Sequence, residues 1–309
     1  MRYLITGGTG FIGSALCRRW LARGDDVAVV SRSPESVIGR ISLPGQPGGE
    51  DGTAPASRLR AVGSAAELTE PVDAIVNLAG ASIAGGPWTA SRRKVLRKSR
   101  LGVTEQIVDD LRRREIRPKV LVSASAVGIY GDRGDHVLTE SSDPGEGFLA
   151  DLCREWEAAA LAAQELGVQV CVPRFGLVLG ASGGLLDVLR RVYKLGLGGR
   201  LGSGRQWMPW IHRDDLLDAI EFLISEPISG PVNLTAPQPV RQATFSRELA
   251  SALERPAFWW IPAGALRLTL GEMASTVLSS ERAVPERLEE AGFRFRHTEL
   301  GPVLRALVG

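Results

Sequence analysis

Cysteine, histidine, tyrosine and lysine are all scarce in this sequence of 309 residues. Its three cysteines and three histidines are Cys17, Cys153, Cys171, His136, His212 and His297. They stand far apart, so no group of them has the spacing of metal ligands. An odd number of cysteines within helix-like or strand-like runs favours reduced, structural thiols over disulfides. We therefore expect no metal site and a reducing compartment.

Long apolar runs and a strong net charge are also missing. No apolar run reaches the roughly 18 residues that a membrane-spanning helix needs, and the N-terminus has no basic, apolar signal sequence. The formal net charge of +2 does not indicate a nucleic-acid-binding protein. One basic run, residues 92–100, fits a solvated helix face as well as contact with a phosphate or substrate. We expect a cytoplasmic protein with neither a membrane nor a nucleic acid as its partner.

Glycine, by contrast, is plentiful, and three glycines mark the N-terminal region. The apolar run Tyr3–Ile5 has the character of a buried strand, Gly7, Gly10 and Gly13 follow it, and residues 14–21 have apolar side chains at helical spacing. Such a strand, turn and helix bind dinucleotides: the glycines permit a sharp turn, close approach of the backbone to a pyrophosphate, and tight packing of helix on strand. The helix N-terminus then faces the phosphate charge. The sequence therefore predicts a dinucleotide-binding turn.

The end of the second predicted strand, residues 26–31, bears on the choice of cofactor. A fold that binds NAD normally has an acidic residue here for the adenosine ribose. This chain has Ser31 and Arg32 instead, a hydroxyl and a guanidinium that suit a 2′-phosphate. We predict NADP, although Arg32 could also be an ordinary surface charge.

Strand-like and helix-like segments alternate as far as Arg174. Strands are predicted at residues 72–78, 119–125 and 168–172, and helices at 91–114 and 149–166, with a proline- and glycine-rich loop over 34–57. This alternation predicts an α/β fold with a doubly wound parallel sheet of the Rossmann type.

Beyond Arg174 the composition changes. A glycine-rich stretch, residues 196–204, is followed by Trp207, Trp210 and His212, which suits a substrate cleft, although aromatic residues are about as often part of a core. We predict an NADP-binding Rossmann domain from residues 1–175 with 205–235. A smaller C-terminal substrate-binding domain would comprise residues 176–204 with 236–309.

Several motifs together point to a known family. They are Val76–Gly80, Ser99–Arg100, Ser123–Gly131, Cys153–Glu157, Gly196–Gly199, Gly202–Gly204, Trp210–His212 and Val284–Gly292. In combination they resemble the extended short-chain dehydrogenase/reductases, the superfamily of nucleotide-sugar epimerases and dehydratases, and within it an atypical branch called epimerase family proteins. The resemblance covers nearly the whole chain. It implies a Rossmann domain that binds NADP(H) and a smaller C-terminal substrate domain, in a branch whose physiological substrate is generally unassigned.

The resemblance also implies a set of cofactor contacts. The pyrophosphate would lie against Gly7, Gly10, Phe11, Ile12 and Gly13, the 2′-phosphate against Ser31 and Arg32, the adenosine side against Leu78, Ala79 and Gly80, and further contacts would come from Arg100 and Val178.

One expected feature of the wider superfamily is missing. Its members use a tyrosine as general acid and base, with a lysine four residues later that lowers the tyrosine pKa. None of the three tyrosines in this chain is followed by such a lysine, and an alignment on Glu157 puts Leu149 and Cys153 at the two positions.

Three residues are the remaining catalytic candidates. Ser125 matches the superfamily serine that hydrogen-bonds a substrate oxygen, although it could simply end a strand. Tyr130 could donate a proton, and His212 could titrate in the working range, although a lone histidine is more often structural.

Two functions are therefore open. The first is an NADP(H)-dependent oxidoreductase or epimerase that acts on a carbonyl or alcohol of a small-molecule substrate, which could be a nucleotide-linked sugar. The second is an NADP(H)-binding sensor of redox state that regulates a partner without catalysis. The sequence leaves the oligomeric state open.

Overall fold

The structure, a computed structural model, describes residues 1–41, 58–68 and 70–308. Its strands are β1 Arg2–Thr6, β2 Asp26–Val30, β3 Leu59–Val62, β4 Ala74–Asn77, β5 Val120–Ser123, β6 Ser125–Ala126, β7 Val137–Leu138, β8 Gln169–Phe175, β9 Leu177–Leu179, β10 Gly199–Leu201, β11 Trp207–Met208, β12 Trp210–His212, β13 Gly230–Leu234, β14 Val240–Arg241, β15 Trp259–Ile261 and β16 Arg282–Ala283. Its α-helices are α1 Phe11–Arg23, α2 Val37–Ile41, α3 Ala90–Arg97, α4 Val103–Arg113, α5 Phe148–Leu161, α6 Gly184–Lys194, α7 Arg213–Ser225, α8 Gln242–Ala252, α9 Ala263–Leu270, α10 Ser275–Leu278, α11 Glu286–Glu290 and α12 Leu300–Val308.

The main sheet has the strand order β13-β8-β5-β4-β1-β2-β3, with β6 also paired to β8, and its pairs are parallel. The chain runs outward from β1 to β3 and then returns to β4 on the other side of β1. Ligands of such sheets bind beyond the carboxyl ends of the strands where the order reverses. The predicted α/β Rossmann fold is therefore confirmed, and the reversal lies between Thr6 and its register partner Asn77.

Strand β1 illustrates why these residues form the centre of the sheet. Leu4 and Ile5 are both fully buried. Consecutive strand residues point to opposite faces of a sheet, so these two side chains are buried on different faces. Ile5 packs in the core cluster that contains Trp20 of α1, and Leu4 packs in the cluster that contains Leu111 of α4. Helices therefore cover both faces of the sheet, as its apolar strands require.

A separate apolar cluster joins α6, α8 and α12 in the C-terminal part, with Leu186, Leu249 and Leu304 at its centre. One segment of this part returns to the first half of the chain, since β16 pairs in parallel with β7 through Arg282 and Val137. The division into two domains with the predicted boundaries stays a prediction. The pairing of β16 with β7 nevertheless fixes the residues just before β16 against residues of the first half of the chain.

Two local predictions need correction. Residues 34–57 were expected to form a loop, but a 3₁₀ turn at Pro34–Ser36 leads into α2, because Val37 and Ile41 are spaced by four and both bury completely. Residues 42–57 of that predicted loop lie outside the described residues. The helix predicted over 91–114 is divided into α3 and α4 by a π-helical turn, Lys98–Gly102.

The three cysteines are buried free thiols, as expected from their spacing. Across the described ranges there is no group of three or more His, Cys, Asp or Glu side chains that could hold a metal ion. Among the same residues, no helix combines the length and the apolar character needed to cross a bilayer.

Candidate functional site

A cavity of about 460 Å³ opens at the carboxyl ends of the central strands. Its walls are formed by Gly7, Gly10, Phe11, Ile12, Gly13, Leu78, Ala79, Gly80, Ile83, Arg100, Ala124, Ser125, Ala126, Gly128, Leu149, Leu152, Cys153, Trp156, Phe175, Gly176, Val178, Thr276 and Glu281. The structure thus brings together all of the predicted cofactor residues except Ser31 and Arg32. We call this space the central cavity.

The glycine turn between β1 and α1 forms one end of the central cavity. Gly7 has φ +70°, and a Cβ there would lie 2.6 Å from the carbonyl oxygen of Leu78. The N–H of Gly10 donates to the carbonyl of Gly7 at 3.0 Å, which closes the turn. No side chain caps the N-terminus of α1, so its first N–H groups are available to an anion.

Gly13 is the most constrained position of the turn, because a Cβ there would lie 2.3 Å from the carbonyl oxygen of Gly7 and 2.8 Å from Cα of Gly8. These are backbone atoms, so Gly13→Ala must push α1 away from the turn. We expect a loss of about 1–3 kcal/mol in stability and at least roughly tenfold weaker NADPH binding, which corresponds to about 1.4 kcal/mol. Denaturant unfolding and fluorescence titration with NADPH measure the two effects. Gly39→Ala is the matched control because a Cβ at Gly39 would meet nothing within 4 Å; equal effects of the two changes would contradict the packing argument.

Arg100 lies on the π-helical turn and is 9% exposed. Its Nη2 donates to the carbonyl of Ala81 at 3.1 Å, its guanidinium stands over the Trp156 ring at 5.3 Å, and burial lowers its pKa. It forms no ion pair with any residue that the structure describes. A buried cation without an anionic partner makes this wall of the central cavity favourable for a negatively charged ligand.

Ser31 and Arg32 lie outside the walls of the central cavity, directly after β2, which is the neighbour of β1. The Ser31 hydroxyl accepts a hydrogen bond from the N–H of Ser33 at 3.1 Å. Arg32 is exposed and makes no hydrogen bond or ion pair with the described part of the chain. Its guanidinium is therefore free to bind an anion beside the glycine turn.

Ser125 lies on the wall of the central cavity, but its hydroxyl is already engaged. It donates to Glu157 Oε1 at 2.6 Å, while Arg174 donates to the same carboxylate through Nε at 2.9 Å and Nη2 at 2.8 Å. A hydroxyl has one proton, so the Ser125 oxygen offers only lone pairs to the cavity. In this arrangement it can accept a hydrogen bond from a ligand, but it has no free proton to donate to a substrate carbonyl. The resemblance had implied that donor role.

Tyr130 and His212 are not brought to the central cavity. The Tyr130 hydroxyl is completely buried, donates to Asn233 Oδ1 at 2.7 Å and accepts from Arg174 at 2.8 Å, and burial raises its pKa. His212 accepts from the N–H of Asp214 at 3.1 Å and so caps α7. Its ring stacks on His297 at 3.8 Å, and burial lowers its pKa. The geometry gives both residues structural partners instead of catalytic access.

The two positions that align with the tyrosine and lysine of the wider superfamily lie on the wall of the central cavity. Leu149 and Cys153 both face the central cavity from α5. Burial raises the pKa of the Cys153 thiol to about 12, so the thiol is protonated and unreactive at neutral pH. The site therefore has an apolar surface and an inert thiol where the wider superfamily has its proton-transfer pair.

Thr276 and Glu281 are wall residues that sequence reasoning missed. They come from the segment between α9 and β16, and the pairing of β16 with β7 places them there. No motif in the local sequence marks them, because their position depends on a contact between residues about 145 apart in the chain.

A second cavity, of about 690 Å³, is lined in part by the same segment. Its walls are Trp88, Arg93, Arg97, Asp132, Gly147, Phe148, Asp151, Arg267, Gly271, Glu272, Ala274, Ser275, Leu278 and Ser279. Of the basic run, Arg93 and Arg97 face this space and pair with Glu272 and Glu155. The guanidinium of Arg267 has no hydrogen bond or ion pair within the described ranges. The basic run is therefore a cavity wall as well as a charged helix surface.

Comparisons with known proteins identify the family of this chain. Residues 3–235 match the NAD dependent epimerase/dehydratase family, and residues 261–307 match a domain of unknown function, DUF1731. An epimerase family protein of Mycobacterium tuberculosis is 39% identical over 302 residues, covering 97% of this chain and 95% of the relative. A chloroplastic epimerase family protein, the SDR39U1 homolog of Arabidopsis thaliana, is 38% identical and covers 100% of this chain and 87% of its own length.

Solved structures of epimerase family proteins and of related enzymes are also similar to this chain. The crystal structure of the human epimerase family protein SDR39U1 with NADPH has a TM-score of 0.84 and 30% identity, covering 100% of this chain and 99% of that one. MoeE5 in complex with UDP-glucose and NAD, at 20% identity and a TM-score of 0.74 over 100% of this chain and 97% of that one, has the same fold.

Proposed function

Since the chain belongs to the NAD dependent epimerase/dehydratase family, we propose that it is an NADP(H)-dependent oxidoreductase or epimerase. Its substrate would be a carbonyl or alcohol group of a small or nucleotide-linked molecule. One observation carries the proposal: the glycine turn, the small residues after β4, and polar side chains including Ser125 line a single cavity.

The residues present fit a dinucleotide. Gly7 and Gly13 leave no room for a Cβ against the neighbouring backbone, so the turn is bare where a pyrophosphate would approach. The N-terminus of α1, whose N-cap Gly10 supplies no side-chain hydrogen bond, and the Arg100 cation, which has no ion-pair partner among the described residues, both favour negative charge. When bound, NADP(H) supplies or takes up a hydride at its nicotinamide ring.

The preference for NADP over NAD is supported by Arg32. Its exposed guanidinium has no partner in the described part of the chain and follows the strand beside the glycine turn, where a 2′-phosphate would be recognised. The 30%-identical human relative contains NADPH, which agrees with this assignment.

The substrate class is proposed from the second cavity. The guanidinium of Arg267, which has no partner among the described residues, and the aromatic side chains Trp88 and Phe148 suit a ligand with both anionic and flat apolar parts. Sugar nucleotides have this character. MoeE5, whose likeness to this chain is one of fold alone, forms a complex with UDP-glucose. They are therefore the first substrates to test.

The proposal is tested by fluorescence titration with NADPH and NADH, followed by a panel of carbonyl compounds and sugar nucleotides added to the NADPH complex. The expected result is tight NADPH binding together with oxidation of NADPH on one panel member, for an oxidoreductase, or epimerisation of one sugar nucleotide by the NADP⁺ complex, for an epimerase. A protein that binds neither NADPH nor NADH would contradict the proposal.

A second candidate function is a sensor of the NADPH/NADP⁺ ratio. It is favoured by the commitment of the Ser125 proton to Glu157 and by Leu149 and Cys153 at the positions of the catalytic pair. This function predicts tight NADPH binding with no turnover on the whole panel, which separates it from the enzyme.

A further inference from the structure

The polar side chains on the wall of the central cavity can be sorted by what they already bind. Trp156 donates to Thr104 at 2.9 Å, Thr276 donates to the carbonyl of Met273 at 2.7 Å, and Ser125 donates to Glu157. Arg100 is a cation that holds its protons, and Cys153 is an inert thiol. None of these groups is free to give up a proton at neutral pH.

Glu281 is different from all of them. Its backbone is held firmly, since its N–H donates to the carbonyl of Trp207 at 3.2 Å and the neighbouring Ser280 hydroxyl donates to the carbonyl of Gly134 at 2.6 Å. Its carboxyl group, however, makes no hydrogen bond or ion pair with any described residue. A carboxyl fixed at its base and unpartnered at its tip, on the wall of a cavity, is available to a ligand.

Burial and one neighbouring carboxylate favour the protonated form of Glu281. Asp132, whose carboxylate accepts from the N–H of Ser280 at 3.2 Å, faces it from the loop before β7. The guanidinium of the adjacent Arg282 lies over the Trp207 ring at 4.7 Å, and Arg100 stands elsewhere on the same cavity wall. Burial, aided by repulsion from Asp132, raises the pKa of Glu281 to about 7. At neutral pH both the acid and its conjugate base are present, which general acid–base catalysis requires.

From this position we infer that Glu281 is the proton donor and acceptor of the central cavity, in place of the missing tyrosine. The assignment rests on the proposed function. In the reducing direction the O–H bond of the Glu281 carboxyl breaks and a new O–H bond forms on the substrate oxygen. The carbonyl carbon takes a hydride, with its two electrons, from the reduced cofactor, so that a C–H bond forms as the C=O π bond breaks and the cofactor is oxidised. Solvent then reprotonates the carboxylate. In the oxidising direction the carboxylate removes the alcohol proton while the alcohol carbon gives its hydride to the oxidised cofactor, and a C=O bond forms.

The segment that carries Glu281 contributes to both cavities. Thr276 and Glu281 line the central cavity, whereas Ser275, Leu278 and Ser279 line the second cavity. One short stretch of chain therefore forms part of the wall of each space.

The test compares wild type with Glu281→Gln, which keeps the shape but cannot titrate, and with Glu281→Asp, which keeps the carboxyl. Glu286→Gln, an exposed carboxyl five residues later, is the control. With NADPH and the active panel substrate, Glu281→Gln is expected to lower kcat by about 10²- to 10⁴-fold while leaving the NADPH Kd within about twofold. Glu281→Asp is expected to retain part of the rate, and the control all of it.

Two further measurements do not depend on turnover. The infrared carboxyl band that is present in wild type and absent in Glu281→Gln is expected to titrate with a midpoint near pH 7. Because the pKa rises from 4.5 to about 7 on folding, protonation stabilises the fold below pH 4.5, and this stability is lost as the pH rises towards 7. Glu281→Gln should therefore raise Tm relative to wild type more at pH 8 than at pH 5.

The outcomes separate the inference from the proposed function. An infrared midpoint below about pH 5 overturns the role of Glu281 whether or not the protein turns over. Full activity in Glu281→Gln overturns it and leaves the proposed function intact. A wild-type protein that binds NADPH but neither reduces nor epimerises any panel member contradicts the proposed function, while the infrared titration still decides whether Glu281 is the neutral-pH acid of the cavity.

Discussion

Replacing Arg174 with methionine is expected to lower the free energy of unfolding by about 3–5 kcal/mol. Arg174 and Glu157 are 6% and 7% exposed, and the guanidinium donates to both carboxylate oxygens. Methionine fills a similar space but leaves the carboxylate of Glu157 buried, and the hydroxyl of Ser125 is then its one partner among the residues that the structure describes. The cost is that of an uncompensated buried charge, and Tyr130 also loses the donor to its oxygen.

Urea unfolding of wild type and variant at pH 7 measures this loss. Arg112→Met is the control, because Arg112 and Asp109 form an exposed pair on α4, 51% and 52% accessible, whose removal should cost less than about 1 kcal/mol. The double variant Arg174→Met with Glu157→Met should recover much of the loss, since replacing both charges leaves none unpaired. A loss from Arg174→Met no larger than from Arg112→Met would refute the idea that the pair is a buried structural element.

Replacing Arg32 with alanine is expected to raise the NADPH Kd by roughly 10- to 150-fold, the equivalent of about 1.5–3 kcal/mol for a charged hydrogen bond. The NADH Kd should change less than about twofold, because NADH has no 2′-phosphate. Since Arg32 has no partner among the described residues, its removal leaves no other group unsatisfied. The effect should therefore be confined to cofactor binding.

Fluorescence titrations of both cofactors with wild type and variant provide the measurement, and the unfolding midpoint should not move. Arg255→Ala is the control: it removes the same charge from an exposed turn after α8 and should leave both Kd values unchanged. An equal loss of affinity for NADPH and NADH would show that Arg32 does not read the 2′-phosphate.

Local sequence signals were sufficient for the parts of the site that are built from consecutive residues. The run from Tyr3 to Gly13 encodes strand, turn and helix within a few residues, so its geometry followed from residue type alone. The alternation of strands and helices likewise predicted the parallel sheet, because each crossover has only one common hand. By contrast, α2 was missed. The many prolines and glycines of residues 34–57 predict a loop, and the one helical signal there is a short apolar pair, Val37 and Ile41.

The chemistry of the site depended on contacts between distant residues. The direction in which Ser125 donates its proton is set by Glu157 and Arg174, on α5 and β8, and no motif links the three. Glu281 reaches the cavity only because β16 pairs with β7, and its acidity depends on burial. Neither property could be obtained from the residues beside it in the sequence.

The bare N-terminus of α1 has a consequence for the lifetime of the protein in the cell. With Gly10 at its N-cap, the helix forgoes roughly a few tenths of a kcal/mol of local stabilisation relative to a side-chain cap, and a bound pyrophosphate would supply it. A ligand at 100 times its Kd adds about 2.7 kcal/mol to the stability of whatever binds it. If NADP(H) is that ligand, the unfolded fraction, and with it the rate of degradation, rises when the nucleotide pool falls. The abundance of the protein would then follow the supply of its cofactor.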